Sequence, residues 1–248
     1  MNSLVTRQDA NGVCTLTLNR PQKLNALNVA LFLELDAHIR ALVGETETTG
    51  CVILTGAGRC FSAGHDLKDI GSGEHPPEEH FQARVIEALS ALPQTVIAAV
   101  HGHCYTGALE LALGADLIVA ADDARFADTH AKWALTPRWG GSQRLPRLIG
   151  RQAAMDMMQT CRTVLADEAL RLGLCCRVFP AAGFPASVQA LAEEILGNSW
   201  FSLRGNKRLL RETEGMNLSA GLMHELHHGP GRAPDHAERI ARFNRPKP

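Results

Sequence analysis

The chain has 248 residues, 45% of them hydrophobic, enough for one large domain, or a domain with a small appendage, around a substantial core. Lys plus Arg number 25 against 26 Asp plus Glu, a balance that excludes overall electrostatic attraction to nucleic acid or to an anionic membrane. The start lacks the apolar run of a signal peptide and no stretch is long and apolar enough to span a bilayer, so a soluble, cytoplasmic protein is expected.

In chain order, residues 13–19 read as a strand, 28–43 as a helix, 51–55 as a strand and 78–92 as a helix. A strand at 95–100 is followed by a helix at 107–113 and a strand at 116–121, an α/β order with short connections. The helix at 28–43 carries Leu31, Leu35, Ile39 and Leu42 on one face, with Glu34, Asp36 and Arg40 away from it. Both strands 51–55 and 95–100 are continuous apolar runs, which suits a sheet covered on both faces. Gly71-Ser72-Gly73-Glu74-His75-Pro76-Pro77 reads as a loop closed by prolines, either a lid or a solvated surface segment. Beyond Gly140-Gly141 the pattern is mainly helical, at 151–160, 166–172, 185–196, 203–211, 219–227 and 234–243, with one further strand at 176–179. The parsing is an α/β core over residues 1–197 and a helical region over 198–248. The apolar Leu222, Met223 and Leu226 of that region must pack on the core or on another subunit.

Seven cysteines scattered from Cys14 to Cys176, without a Cys-x-x-Cys pair, give neither a zinc framework nor a disulfide scaffold. They read as small buried apolar residues. Eleven histidines are more than expected, but the spacing of His65, His101, His103 and His130 matches no established ligand pattern, and no metal is assigned.

Chemistry concentrates in two glycine turns that follow the apolar strands. These are Phe61-Ser62-Ala63-Gly64-His65-Asp66-Leu67-Lys68 and Tyr105-Thr106-Gly107-Ala108-Leu109-Glu110. Backbone N–H groups at a helix start lack an intrahelical acceptor and can point at a ligand oxygen. Two such turns side by side would form an oxyanion hole. Thr106 reads as a helix N-cap, and Glu110, three residues after Gly107 among apolar neighbours, as either a catalytic carboxylate or one that neutralises the helix dipole. A third segment holds Asp128-Thr129-His130; if it is extended, Asp128 and His130 point to the same side.

Together these segments resemble the enoyl-CoA hydratase/isomerase, or crotonase, family. The similarity begins at Leu18-Asn19-Arg20-Pro21-Gln22-Lys23-Leu24-Asn25-Ala26-Leu27, runs through both turns and Asp116-Leu117-Ile118-Val119-Ala120-Ala121, and continues through Gly140-Gly141-Ser142-Gln143-Arg144-Leu145-Pro146 to about residue 180. The resemblance implies an α/β fold, a crotonase-like spiral of ββα turns with a helical C-terminal region that builds trimers or dimers of trimers. It implies an acyl-CoA thioester substrate, in fatty acid metabolism, and no cofactor, coenzyme A being part of the substrate. The N–H groups of His65 and Gly107 would form the oxyanion hole, and Lys23, Ala26, Ala63, Asp66, Leu67 and Lys68 would bind substrate or CoA. Glu110 matches the first of the family's two hydratase glutamates. Counting back from Pro137 and Gly140-Gly141 without a gap, the second position falls on His130, where hydratases usually have Pro-Glu. Histidine can serve as acid and base with Asp128 orienting it. Trp133, Arg138 and Trp139 stand where the family often has small residues, and either narrow the acyl pocket or pack in the core. The expected reaction is hydration of a 2-enoyl-CoA to a 3-hydroxyacyl-CoA. Double-bond isomerisation, C–C hydrolysis of a β-dicarbonyl compound and non-catalytic acyl-CoA binding are the alternatives.

Overall fold

The computed structural model describes residues 3–73 and 75–243; Glu74 of the expected loop, and the ends of the two expected regions at residues 1–2 and 244–248, lie outside the described residues. In chain order the elements are β1 (Val5–Ala10), β2 (Val13–Leu18), α1 (Val29–Val43), β3 (Cys51–Gly56), α2 (Leu67–Ser72), α3 (Phe81–Ala91), β4 (Thr95–Val100), β5 (His103–Tyr105), α4 (Gly107–Ala112), β6 (Leu117–Ala121) and β7 (Arg125–Ala127). There follow α5 (Gly141–Ile149), α6 (Arg151–Thr160), β8 (Val164–Leu165), α7 (Ala166–Leu172), β9 (Arg177–Phe179), α8 (Phe184–Leu196), α9 (Trp200–Glu212), α10 (Leu218–His228) and α11 (His236–Phe243). Short 3-10 turns occupy Pro21–Lys23 and His130–Trp133.

Six strands form one sheet in the order β1-β2-β3-β4-β6-β9, parallel except for the β1–β2 hairpin. Side chains alternate across a strand, so its apolar runs serve two cores at once. Val52, Leu54, Val96, Ala98 and Ile118 face a large core shared with α1, α3 and α4, whereas Cys51, Ile53, Ile97, Ala99 and Val119 face a smaller one closed by Phe184, Val188, Leu191 and Ala192 of α8. On α1 the expected stripe is buried: Leu31, Leu35, Ile39 and Leu42 lie in the large core.

A second sheet, β5-β7-β8, was not expected. It changes the picture of the second turn, which does not follow β4 directly, because β5 intervenes between Val100 and Gly107. Strands of two or three residues have no room to display a period-2 pattern, and they exist because β5 pairs in parallel with β7. β1 carries no apolar alternation, being a polar edge strand with only Val5 buried. α2 extends into the expected loop as far as Ser72, and α3 starts at Phe81 rather than at residue 78. α5 forms although Pro146 lies inside it, a residue that normally breaks a helix. Six of the seven cysteines are buried and Cys176 is exposed.

The C-terminal helices are tied to the sheet at few points. A Cβ added at Gly50 would lie 2.5 Å from Leu196 and 2.7 Å from the Trp200 indole, so this helical end rests directly on the strand backbone. Lys207 Nζ of α9 donates to Gln94 O at 2.8 Å and to Asp116 Oδ2 at 2.7 Å. Leu222, Met223 and Leu226 do not pack on the core; with Leu218 and Phe243 they are exposed on this chain.

One buried amide fixes the approach to the site. Asn25 is fully buried and sits at φ 53°, a left-handed conformation that Asn tolerates better than most residues. Its Nδ2 donates to Ala57 O and Cys60 O, both at 2.8 Å, and its Oδ1 accepts the Arg20 N–H at 2.9 Å. Replacing it with alanine leaves three backbone groups without partners. We expect Asn25→Ala to lower unfolding free energy by about 2–4 kcal/mol, read as the shift in a urea denaturation curve.

Candidate active site

The two glycine turns meet because the chain on either side of them is paired. Ser62 N–H donates to His103 O at 2.9 Å and Tyr105 N–H to Ser62 O at 3.3 Å, so the strand-like segment before Gly64 runs beside β5. On its other side the first turn is held by Ala63 N–H to Leu24 O, Leu27 N–H to Gly64 O and Asp66 N–H to Leu27 O, at 2.8–2.9 Å. Gly64 has φ 102°, and a Cβ there would lie 2.6 Å from Tyr105 O, so only glycine lets the turns touch. Gly107 opens α4, where its N–H has no intrahelical acceptor. A Cβ on Gly107 would meet the Trp139 ring at 2.5 Å, and that ring also lies 4.7 Å from the His65 imidazole, centre to centre. Trp139 therefore touches both turns.

Thr106 occupies the residue before α4, as expected, but its side chain makes no capping bond. The hydroxyl instead lies 2.6 Å from the Thr129 hydroxyl and accepts the Thr129 N–H at 3.2 Å. The backbone explains the correction: φ 54°, ψ −111° is a conformation that costs a non-glycine residue about 1–3 kcal/mol, and the Thr129 contacts with Thr106 N–H to Ala127 O hold it there. That conformation sets the direction of the following Gly107 N–H.

Glu110 projects from buried α4 toward the segment that follows β7. Its Oε1 accepts two backbone N–H groups, from Trp139 at 2.9 Å and from Gly141 at 2.8 Å. Its Oε2 lies 3.5 Å from His130 Nε2, and His130 Nδ1 lies 2.7 Å from Asp128 Oδ1. All three side chains are buried. The Asp128–His130 contact does not come from an extended segment, because His130 begins a 3-10 turn. Asp128 Oδ1 accepts the His130 N–H at 3.0 Å as well as the ring nitrogen, so the backbone itself folds the imidazole onto the carboxylate. Burial disfavours the imidazolium, but the bonds to Asp128 and Glu110 outweigh it and push the His130 pKa up to about 9. At neutral pH the site thus holds a cationic acid between two carboxyl groups.

These groups line a cavity of about 1000 Å³. Lys23, Ala26, Ala63, Asp66, Leu67 and Lys68 contribute to its wall, as do His65, Gly107, Glu110 and His130, and Trp133, Arg138 and Trp139. Asp128 is not on the wall; it stands behind His130. Asp66 reaches the wall, but its carboxylate pairs with Arg20 at 3.0 Å. Burial opposes ionisation of Asp66, and the Arg20 bond overcomes it and keeps the pKa below the usual carboxylate range. Trp139 is buried, while Trp133 and Arg138 are exposed at the cavity. Of the other histidines named, His101 bonds Gly58 O and His103 bonds the Tyr105 hydroxyl, and among the described residues no group of three His, Cys, Asp or Glu side chains is arranged to hold a metal ion. Sequence reasoning missed Arg20, Thr129 and the two amides on Glu110; none carries a side-chain pattern, and only the pairing of distant backbone reveals them.

The family model described as enoyl-CoA hydratase/isomerase matches residues 8–229. The chain is 36% identical over 245 residues to a probable enoyl-CoA hydratase of Mycobacterium bovis, covering 97% of this chain and 93% of that one. Its fold is similar to that of the enoyl-CoA hydratase of Bacillus anthracis, with TM-score 0.91, 33% identity, and coverage of 97% and 95% of the two chains. It is also similar to a Thermobifida fusca chain solved in complex with acetoacetyl-CoA, with TM-score 0.82, 26% identity, and coverage of 97% and 95%.

The raised His130 pKa can be read directly. NMR titration of the imidazole is expected to give a midpoint near 9. In Asp128→Asn the largest favourable bond is lost while burial remains, so the midpoint falls. The sign for stability follows: this pair's contribution is fully present below the unfolded histidine value of about 6.5 and is lost as pH rises through about 9.

Proposed function

Because the chain belongs to the enoyl-CoA hydratase/isomerase family, we propose that it hydrates a 2-enoyl-CoA thioester to the 3-hydroxyacyl-CoA. The observation that carries this reading is the buried contact between Glu110 and His130 beside two touching glycine turns. In the proposed reaction the thioester oxygen accepts the N–H groups of His65 and Gly107. As water adds at C3 this oxygen becomes negative, and donors already in place stabilise it; losing one such donor typically slows reaction about a hundred- to a thousandfold.

Glu110 and His130 then divide the proton work. Oε1 of Glu110 is occupied by two amides, so Oε2 is the basic oxygen left at the cavity. It takes a proton from water as the C3–O bond forms. His130, cationic at neutral pH, gives its Nε2 proton to C2 of the resulting enolate. One O–H bond and the C2–C3 π bond are broken, and one C–O and one C–H bond are made. The proton left on Glu110 returns to His130 across their 3.5 Å contact as product departs. Asp128 holds the ring and keeps it charged, replacing the electrostatic role that a second carboxyl group plays elsewhere by a protonated donor. No redox or group-carrying cofactor enters this balance; CoA is part of the substrate.

Lys23 and Lys68, exposed on the cavity wall, are proposed to meet the CoA phosphates. Ala26, Ala63 and Leu67 supply the adjacent wall for the CoA arm, whereas the carboxylate of Asp66 acts through Arg20 to hold the turn. For the assembly we propose a homotrimer or dimer of trimers, supported by the exposed Leu218, Leu222, Met223 and Leu226 on α10 and Phe243 on α11, apolar side chains that this chain alone leaves uncovered.

Hydration of crotonyl-CoA and longer 2-enoyl-CoA esters is the direct assay. Glu110→Gln is expected to lower kcat by about 10²- to 10⁴-fold while CoA-thioester affinity is retained, an outcome that also separates an enzyme from a binding protein. In the wild type kcat/KM should fall as pH rises through about 9, the value at which His130 loses its proton. Conversion of a 3-enoyl-CoA to the conjugated ester, with no hydration of 2-enoyl esters, would instead assign double-bond isomerisation.

A further inference from the structure

Besides His130, the lysine and arginine side chains that reach the cavity wall among the described residues are Lys23, Lys68, Lys132 and Arg138. Two of them, Lys132 and Arg138, lie on the segment that also carries His130 and Trp139. Among the described residues neither of these two side chains has a hydrogen bond or an ion pair. The acidic groups at the wall are already engaged: Asp66 with Arg20, Glu79 with His80 at 3.1 Å, and Glu110 with two amides and His130. The cavity therefore has surplus positive charge on the side that holds the acid–base pair, in addition to the lysines proposed for CoA.

Arg138 is placed by covalent geometry. The next residue's N–H, that of Trp139, is bonded to Glu110 Oε1 at 2.9 Å, so the arginine backbone is one residue from the reacting carboxyl group. Trp139 itself is buried against Phe32 and His65 and abuts Gly107, filling the space beside both turns. Leu135, Thr136 and Arg138 share the cavity wall with this indole, so an acyl chain whose thioester oxygen lay between those turns would have all three within the same cavity. A hydrocarbon end in that position would lie against an unpaired guanidinium, whereas a carboxylate end would accept a two-point charged hydrogen bond from it.

We propose that Arg138 recognises a terminal carboxylate on the acyl group, so that the preferred substrates are short enoyl-CoA esters of dicarboxylic acids. This rests on the reading of the cavity as an acyl-CoA site and names the substrate class for it. Lys132, from the same segment, adds to the field but lacks the planar fork that matches a carboxylate.

The test compares substrates that share CoA and chain length and differ only at the acyl end. Glutaconyl-CoA and pent-2-enoyl-CoA are assayed for turnover, and glutaryl-CoA and pentanoyl-CoA for binding by calorimetry. The wild type is expected to favour the carboxylated member of each pair by about tenfold or more. Arg138→Gln should erase that ratio and Arg138→Lys should retain part of it. A wild-type ratio near one, or an Arg138→Gln loss that falls equally on carboxylated and neutral members, would overturn the assignment. Should neither enoyl ester turn over while glutaryl-CoA still binds preferentially through Arg138, the carboxylate site stands and the hydratase reading falls.

Discussion

Everything at the cavity depends on how one carboxyl group is held. Glu110 Oε1 takes the N–H groups of Trp139 and Gly141, two donors that lie on either side of Gly140. Those bonds join α4 to the start of α5, where Trp139 lies against both glycine turns. They also leave a single carboxyl oxygen to face His130. A buried carboxyl group without such donors would be costly, and with them it has one fixed orientation. The sharp positive φ at Gly140 and the close approach of Gly141 to the Glu110 side chain, where a Cβ would stand 3.1 Å from Cγ, show why small residues occupy this corner.

The exchange of a second carboxyl group for histidine alters the proton balance of the site without emptying it. A pair of carboxyl groups in contact shares one proton because two like charges resist burial together. Here the partner of Glu110 is an imidazole whose other nitrogen is bonded to Asp128, and Asp128 is itself bonded to the backbone N–H of His130. The row alternates carboxyl, imidazole, carboxyl, and the bonds at both ends of the ring push its pKa up to about 9. The proposed division of labour follows from that alternation: the outer oxygen at the cavity accepts a proton and the central ring supplies one.

Much of this was legible in the residues, and what was not had physical reasons. The stripe Leu31, Leu35, Ile39, Leu42 and the apolar runs of β3 and β4 announced a helix and a two-faced sheet because burial imposes periodicity on long elements. The family was readable from the order of its glycine turns. By contrast, β5 and β7 are three residues each, and their existence depends on backbone partners far away in sequence. That Asp128 and His130 share a side and that Asp128 orients the ring was expected from an extended segment, whereas their direct contact comes from a side-chain-to-backbone turn that strand alternation does not describe. Thr106 shows the same limit: its position before α4 could be read, but the diversion of its hydroxyl to Thr129 could not, because Thr129 arrives from a different strand.

One pair in contact, Glu110 and His130, is proposed to perform both proton transfers. On this proposal two groups 3.5 Å apart on the same wall would address one face of a planar enoyl group. Hydration in deuterium oxide, followed by NMR assignment of the 2-deuterio-3-hydroxyacyl product, measures this directly. The expected product is a single diastereomer in which deuterium and hydroxyl have been added to the same face. A product of addition to opposite faces, or a mixture of both diastereomers formed at first turnover, would contradict it.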